Sequence, residues 1–400
     1  MKEWKTYTLE EICTGKGSYG IGASAVAYDS SKYTYLRITD INDDGTLNKG
    51  EIKSVDDEEA YKYILQKNDI VFARTGNSTG RSYFYDGTDG ELVYAGFLIK
   101  FSLDPSKVNP RIMKYYTHSQ DYYDWVKSFD TGGTRGNINA KTYGLMPITL
   151  PPREVQDKIV EVLKSIDEKI ELNKRINDNL EQQLKLLYRS WFIENKHPDS
   201  KEVCLSEIIY FQEGPGIRNW QYVEKDGIKF INIRCIEGGD INLTTANMIS
   251  EEEANGKYAH FMLKPFDIIM SCSGTLGRYA IVRKEHLPLC LNTSVIRFSP
   301  NRSESDYSYI YGYFASEEFL NKQVEMACGS VQANFGPTHL KQIKIIAPPI
   351  DYCKSYHTAA MPIISKLLEN RREIQHLGKL RDTLLPKLMS GELKINEIDC

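Results

Sequence analysis

The fold is decided by Met146-Pro-Ile-Thr-Leu-Pro-Pro152, a short stretch that predicts a strand ending at two prolines. The stretch recurs 197 residues later as Ile343-Lys-Ile-Ile-Ala-Pro-Pro349. A long helical pattern follows each copy, and Pro152 suits a first helical turn because its missing N–H would have no intrahelical partner there. The two copies therefore predict two domains, each closed by a strand and each followed by a long helix.

Three further blocks recur in the same order at offsets between 195 and 198 residues. The pairs are Tyr35-Leu-Arg-Ile-Thr-Asp-Ile with Phe230-Ile-Asn-Ile-Arg-Cys-Ile, Asp69-Ile-Val-Phe-Ala-Arg-Thr-Gly76 with Asp267-Ile-Ile-Met-Ser-Cys-Ser-Gly274, and Leu98-Ile-Lys-Phe101 with Val295-Ile-Arg-Phe298. Ordered matches at a nearly constant offset indicate an internal repeat. Each half combines β-like stretches with a later helical stretch, at 111–127 and 307–326, so we predict α+β domains.

The first long helix has apolar residues in alternating steps of four and three, which predicts a coiled-coil seam. The second helix, predicted from about Ser355 to Met389, has a similar face. Asn173 and Asn370 share one repeat position; within a seam they would fix the register, and the alternative is that they face solvent. The predicted positions for helix pairing or partner docking are Ile166, Ile170, Asn173, Leu180, Leu184, Leu187, Asn370, Ile374, Leu377, Leu380 and Leu384.

Together these elements predict two similar domains of mixed β-sheet and helices on two long helices that form an antiparallel coiled coil. The predicted boundaries are 1–152 for the first domain, 153–196 for the central helix, 197–349 for the second domain and 350–400 for the C-terminal helix and tail. Such a duplication has an internal pseudo-two-fold axis, and symmetric DNA readers dock one recognition element on each half-site. Because the loops of the halves differ, we expect a bipartite, asymmetric DNA target with an unread gap.

The composition excludes several classes of protein. A net charge of −4 argues against coating nucleic acid by bulk basicity but permits DNA reading through local patches. The sequence has no apolar run of membrane-spanning length and no secretory signal, so we expect a cytoplasmic protein. The eight cysteines stand singly and the seven histidines form no ligand pattern, so we expect reduced thiols and no metal site.

Polar, glycine-containing loops in each half carry residue types that read DNA, because Arg pairs with guanine, Asn and Gln with adenine, and Ser and Thr with either. The alternative is that these loops are ordinary polar turns at strand ends. Tyr19 and the Arg218-Asn219-Trp220 cluster are further candidates. The loop candidates are Arg74, Thr75, Asn77, Ser78, Arg81, Arg135, Asn137 and Asn139 in the first half, and Ser271, Ser273, Thr275, Arg278, Gln332 and Asn334 in the second.

The sequence contains only partial matches to catalytic motifs. Gly76-Asn-Ser-Thr-Gly-Arg-Ser82 is one residue too short for a phosphate loop and has Arg where the lysine belongs. Glu51-Ile-Lys53 resembles a nuclease triplet but has no equivalent in the second half. We therefore predict no catalytic residue, cofactor or metal. Two alternatives stay open: a nuclease or methyltransferase with an unrecognised active site, and a coiled-coil scaffold that bridges two proteins without binding DNA.

The C-terminal string Leu380-Arg-Asp-Thr-Leu-Leu-Pro-Lys-Leu-Met-Ser-Gly-Glu-Leu393, with the two domains closed by Pro-Pro, resembles the specificity (S) subunits of Type I restriction-modification systems. The resemblance covers essentially the whole chain. It implies two target-recognition domains on double-stranded DNA, and helices that form a spacer and most of the methyltransferase docking surface. It also implies assembly with two adenine-methyltransferase subunits and with ATP-dependent restriction subunits, which would hold S-adenosylmethionine, ATP and Mg²⁺.

Overall fold

The computed structural model describes residues 4–129, 136–272, 277–327 and 335–393. The chain divides into a first unit, formed by Met1–Ile170 with His376–Cys400, and a second unit, Glu171–Gln375. The long helices α4 (Arg153–Arg189) and α10 (Ile350–Ser390) each contribute residues to both units. The first unit is thus discontinuous in sequence, whereas the second is a single stretch.

The first unit contains two four-stranded sheets and one strand pair. One sheet has the antiparallel order β2-β9-β6-β7, and the other has the order β3-β5-β4-β8 with β4 and β8 parallel. The strand that ends at Pro-Pro, β10, pairs with β1 antiparallel. The strands are β1 (Lys5–Thr8), β2 (Ser18–Tyr19), β3 (Ala25–Ala27), β4 (Tyr33–Leu36), β5 (Lys53–Val55), β6 (Asp69–Ala73), β7 (Ser82–Tyr85), β8 (Leu92–Tyr94), β9 (Leu98–Ser102) and β10 (Pro147–Leu150), and the short helices are α1 (Ile112–Tyr116), α2 (Gln120–Lys127) and α3 (Ala140–Gly144).

The core of the first unit is built on β6, whose five residues are all buried between β7 and β9. Phe72 from this strand stacks on Tyr143 from α3, with ring centroids 4.8 Å apart. Leu163 from α4 and Leu388 from α10 are buried in the same cluster. The end of the C-terminal helix is therefore part of the core of the first unit.

The second unit repeats this plan. Its sheets have the orders β12-β21-β18-β19 and β13-β17-β14-β20, with β14 and β20 parallel, and β11 pairs with β22 antiparallel. The strands are β11 (Lys201–Cys204), β12 (Ile209–Glu213), β13 (Tyr222–Val223), β14 (Gly227–Ile231), β15 (Ile236–Glu237), β16 (Asp240–Ile241), β17 (Asn247–Ser250), β18 (Ile268–Ser271), β19 (Tyr279–Ile281), β20 (Leu289–Leu291), β21 (Val295–Pro300) and β22 (Lys344–Ala347), and the helices are α5 (Leu205–Ile208), α6 (Glu251–Asn255), α7 (Asp306–Ala315), α8 (Glu317–Ala327) and α9 (Pro337–Leu340). The predicted α+β class and the internal repeat are confirmed.

The long helices run antiparallel within the second unit. Asn173 Nδ2 donates to Glu373 Oε2 at 2.8 Å, Asn370 Nδ2 donates to Asn177 Oδ1 at 3.0 Å, and the rings of Trp191 and Tyr352 lie 5.0 Å apart. Residue numbers thus rise along α4 as they fall along α10. The helix α10 begins at Ile350, five residues before the predicted start, and continues through Pro386 to Ser390.

The predicted pairing residues differ in burial. Leu380 is 38% exposed. The buried residues are Ile166, Ile170, Asn173, Leu184 and Asn370, and the half-buried ones are Leu180, Leu187, Ile374, Leu377 and Leu384. None of the helices in the described parts of the chain is long and apolar enough to cross a membrane.

Candidate nucleic-acid interface

In the first unit, two of the predicted loops lie together. Ile138 N donates to the carbonyl oxygen of Arg74 at 2.9 Å, and Thr79 Oγ1 donates to that of Gly136 at 2.9 Å. Thr75 and Asn137 form an isolated antiparallel bridge. We call residues 74–81 and 136–139 the first loop surface, because these contacts join the segment after β6 to the segment before α3.

The candidates on the first loop surface are not equally accessible. Asn77, Asn137 and Asn139 are exposed, whereas Ser78 is buried. Asn139 Oδ1 accepts hydrogen bonds from Thr142 N and Thr142 Oγ1, at 2.9 and 3.1 Å, and so caps α3. The side-chain carbonyl of Asn139 therefore has a structural role.

The two arginines of the first loop surface have different surroundings. Arg81 Nε donates to Asp43 Oδ1 at 2.6 Å, and Arg81 Nη1 donates to the carbonyl oxygen of Ile41 at 3.2 Å. Arg74 instead lies over an aromatic ring, with its guanidinium carbon 5.1 Å from the ring centroid of Tyr19. The charge of Arg81 is offset by a carboxylate, while that of Arg74 faces a π system.

An exposed aromatic residue beside this surface was not predicted. Phe97, in the turn between β8 and β9, is 58% exposed, and its carbonyl oxygen accepts from Arg74 N at 3.1 Å. Polar residues are usual in such turns, so a phenylalanine after Gly96 was a usable signal. Phe97 extends the candidate interface beyond the polar loops.

The second unit brings the equivalent segments together. Phe335 N donates to the carbonyl oxygen of Cys272 at 2.8 Å, which joins the segment after β18 to the segment before α9. Ser271 is buried, and its backbone N donates to Arg278 O at 2.9 Å across the hairpin. Arg278 is exposed. The candidates outside the described residues are Arg135, Ser273, Thr275, Gln332 and Asn334.

The second unit also exposes an aromatic residue, between β12 and β13. Trp220 is 80% exposed and lies between Asn219 and Gln221 in a single helical turn. Arg218, which precedes the turn, is exposed, and its backbone N donates to Gln221 Oε1 at 2.9 Å. That any of these side chains contacts DNA stays a prediction.

The thiol beside the second set of loops is not activated. Burial raises the pKa of Cys272 to about 12, and Cys272 Sγ donates to Thr293 O at 3.4 Å. Because the thiolate is the nucleophilic form, this thiol is unreactive at neutral pH. In the described ranges, no three His, Cys, Asp or Glu side chains are grouped as metal ligands.

The comparisons with known proteins agree with this arrangement. The family model described as "Type I restriction modification DNA specificity domain" matches residues 1–182 and 198–359, one match in each repeat. The HindI specificity subunit of Haemophilus influenzae is 22% identical, with 98% of this chain and 100% of that protein covered. The MjaVIII specificity subunit of Methanocaldococcus jannaschii is 23% identical, with 84% of this chain and 81% of that protein covered.

A solved structure has the same fold. The crystal structure of the Type I restriction-modification S subunit from M. genitalium aligns with a TM-score of 0.56 and 18% identity, covering 96% of each chain. At this identity the likeness concerns the fold alone.

Proposed function

Since the chain belongs to the family of Type I restriction-modification specificity subunits, we propose that it reads a bipartite, asymmetric DNA target without catalysing a reaction itself. The observation that carries this proposal is the repeated joining of two loop segments: Arg74 to Ile138 in the first unit, and Cys272 to Phe335 in the second. Each unit thus joins two loop segments at the same place in the repeat, and binding residues concentrate on loops that a scaffold holds in position.

The two half-sites should differ in sequence because the repeated scaffold carries different side chains. In the first unit, the residue after β6 is Arg74. In the second unit, the residue after β18 is the buried Cys272. Since an arginine and a buried thiol offer different hydrogen bonds, they cannot read the same base edge.

The long helices are the proposed docking surface for two adenine-methyltransferase subunits. In the second unit, α4 and the turn after it expose Leu172, Leu186 and Ile193, apolar side chains that favour a partner protein over water. ATP-dependent restriction subunits would join the complex. S-adenosylmethionine, ATP and Mg²⁺ would be held by these partner subunits, and the catalytic steps would take place there.

The test is to co-express the chain with its methyltransferase subunit and to map modified adenines across a genome. We expect one split motif with two different halves. Replacing residues 74–81 and 136–139 by those of a relative should change one half of the motif and leave the other unchanged. A continuous motif, or none, would contradict the proposal. Methyl transfer or DNA cleavage by the purified chain alone would favour the enzyme alternative.

A further inference from the structure

We propose that Arg74 reads a guanine in the half-site bound by the first unit. The inference rests on the proposed function and adds to it the base, the side chain that recognises this base and the ring that positions the side chain. It is carried by the position of the Arg74 guanidinium, by the contacts that hold it there, and by the difference between Arg74 and its counterpart in the second unit.

The backbone of Arg74 is held from two sides. Its N donates to the carbonyl oxygen of Phe97 at 3.1 Å, and its own carbonyl oxygen accepts from Ile138 N at 2.9 Å. The residue is thus fixed between the turn that precedes β9 and the segment that precedes α3. A side chain on such a backbone starts from one defined point, which lowers the entropy lost when it binds.

The side chain is positioned as well. The guanidinium carbon lies 5.1 Å from the ring centroid of Tyr19, which is within the range of a cation–π contact. Tyr19 is itself fixed, because its backbone pairs with Ile99 in the sheet and its hydroxyl accepts from Ala140 N at 3.1 Å. This contact restricts the positions that the Arg74 guanidinium can take, which distinguishes it from a surface arginine that has no partner.

The outer end of Arg74 is available to a ligand. Among the described residues no carboxylate pairs with Arg74, whereas Arg81 in the same loop pairs with Asp43. The Nε of Arg74 is buried without a hydrogen-bond partner, and the residue as a whole is half-buried and not enclosed. The parallel N–H donors of the guanidinium thus have no competing acceptor among the described residues and can donate to a ligand.

Two parallel donors select guanine in the major groove. Guanine offers two neighbouring acceptors there, N7 and O6, while adenine offers one acceptor beside a donor. Thymine presents one acceptor beside a methyl group, and cytosine presents a donor. A guanidinium has no acceptor, so only guanine accepts both of its hydrogen bonds in one plane.

The second unit has no equivalent arginine. The repeat places Cys272 at the position of Arg74, and Cys272 is buried with a thiol that donates to Thr293 O. The proposed guanine contact is therefore confined to one half-site. Substitution of Arg74 should alter one base of the motif and leave the half-site read by the second unit unchanged.

The test uses the chain in complex with its methyltransferase subunits and compares wild type with Arg74→Ala, Arg74→Lys and Tyr19→Ala. Methylated adenines are mapped, and binding is measured to duplexes that carry each of the four bases at every motif position. We expect a guanine in the first half-site of the wild-type motif, and a preference for it that falls on the order of tenfold in Arg74→Ala. Arg74→Lys should keep part of the preference, and Tyr19→Ala should weaken it because the guanidinium loses its support.

The matched control is Arg111→Lys. In the wild type Arg111 pairs with Asp86 at 2.8 Å, and nearby Asn109 hydrogen-bonds to α4 through its backbone N and its side chain, so this arginine belongs to the scaffold and not to the first loop surface. It should leave all base preferences unchanged. Methylation at the second half-site serves as the check that each variant is folded and assembled, and Arg74→Lys remains informative if Arg74→Ala does not assemble.

Each other outcome has a defined meaning. A uniform loss of affinity for all duplexes, with a smaller dependence on salt, would show a phosphate contact and overturn the inference. A change of preference at an A·T pair, or a guanine preference that survives in Arg74→Ala, would overturn it too. If the wild-type complex has no split motif, the proposed function fails as well, so the two failures are distinguishable.

Discussion

At the scale of single residues, buried amides decide how the long helices face each other in the second unit. Asn370 is buried and donates to Asn177, while Asn173 donates to Glu373. The sequence repeat placed Asn173 and Asn370 at equivalent positions, but it left open whether their side chains lie between the helices or face solvent. The rotation of a helix depends on what packs against it, so the actual partners, Asn177 and Glu373, could not be read from the sequence.

The Asn370–Asn177 hydrogen bond should contribute measurably to stability. In Asn370→Ala the Oδ1 of Asn177 stays buried and loses its donor, so the free energy of unfolding should fall by about 1–3 kcal/mol. Urea denaturation of the full chain or its complex measures this difference. Asn179→Ala is the control, because Asn179 is exposed on α4, the helix that carries Asn177, and its removal should change stability by less than about 0.5 kcal/mol. Equal effects of both substitutions would contradict the role of the buried pair.

At the scale of elements, one carboxylate joins three helices of the first unit. Asp167 of α4 accepts from Lys114 Nζ at 2.7 Å and from Tyr115 Oη at 3.1 Å, both on α1. Arg381 Nη1 of α10 donates to the other carboxylate oxygen at 3.3 Å. Burial alone would raise the pKa of Asp167, but Lys114 and Arg381 outweigh it, so the pKa lies below the ordinary value of 3.8.

The lowered pKa of Asp167 predicts a dependence of stability on acid. Because the folded pKa lies below the unfolded one, the carboxylate stabilises the fold above the unfolded pKa and loses this effect as the pH falls through the folded pKa. Asp167→Asn should lower the free energy of unfolding at pH 7 by about 1–3 kcal/mol. The difference in the free energy of unfolding between Asp167→Asn and the wild type should become smaller below about pH 4. Denaturant titrations at several pH values measure this difference. A stability difference that does not change with pH would contradict a stabilising role of the Asp167 charge.

Close packing of α7 against both long helices predicts an unusual effect of alanine. A Cβ at Gly312 would lie 2.6 Å from Cδ2 of Tyr188 on α4 and 3.0 Å from the hydroxyl of Tyr356 on α10. Gly312→Ala should therefore destabilise the protein by about 1–3 kcal/mol, although alanine is the better helix former. Gly378→Ala is the control, because nothing lies within 4 Å of its Cβ position, and it should be stabilising. Thermal unfolding should show a lower melting temperature for Gly312→Ala and a higher one for Gly378→Ala. A shift in the same direction for both variants would contradict this packing.

Element boundaries show what sequence patterns miss. The predicted helical stretch 111–127 is divided into α1 and α2, because Ser119 takes an extended conformation and its Oγ accepts from Tyr122 N. Ser316 does the same between α7 and α8, where its Oγ accepts from Phe319 N. Each predicted helical stretch is helical, but a capping serine divides it into two helices, a break that apolar periodicity alone does not indicate.

At the scale of the whole molecule, the repeat made two domains and two long helices predictable, because it appears as matching blocks in the sequence. It could not reveal that residues 376–393 belong to the first unit. That placement depends on contacts between residues at opposite ends of the chain, such as Ile12 and Leu388 in one cluster. The cation–π contact between Arg74 and Tyr19 could not be predicted either, because the sequence indicated each residue only as a separate candidate.

The discontinuous first unit predicts a local loss of stability from a distant substitution. Leu388 is 1% exposed, and Leu388→Ala should destabilise the protein by about 2–5 kcal/mol. Hydrogen exchange should accelerate in residues 4–170 and much less in residues 171–375. Leu380→Ala, at an exposed position of the same helix, is the control and should have a small effect. Equal acceleration in both units would contradict the assignment of the C-terminal helix end to the first.

The division of the units also bears on how the protein matures during synthesis. Residues Met1–Ile170 leave the ribosome first, but their core stays open until His376–Cys400 has been translated, after the whole of Glu171–Gln375. At 5–20 residues per second, that interval lasts roughly 10–40 s. Over this time the nascent first unit keeps an uncovered apolar face, while the second unit emerges as one stretch. We therefore expect the second unit to complete its folding before the first unit. We also expect chaperones to bind the first unit while the rest of the chain is being synthesised.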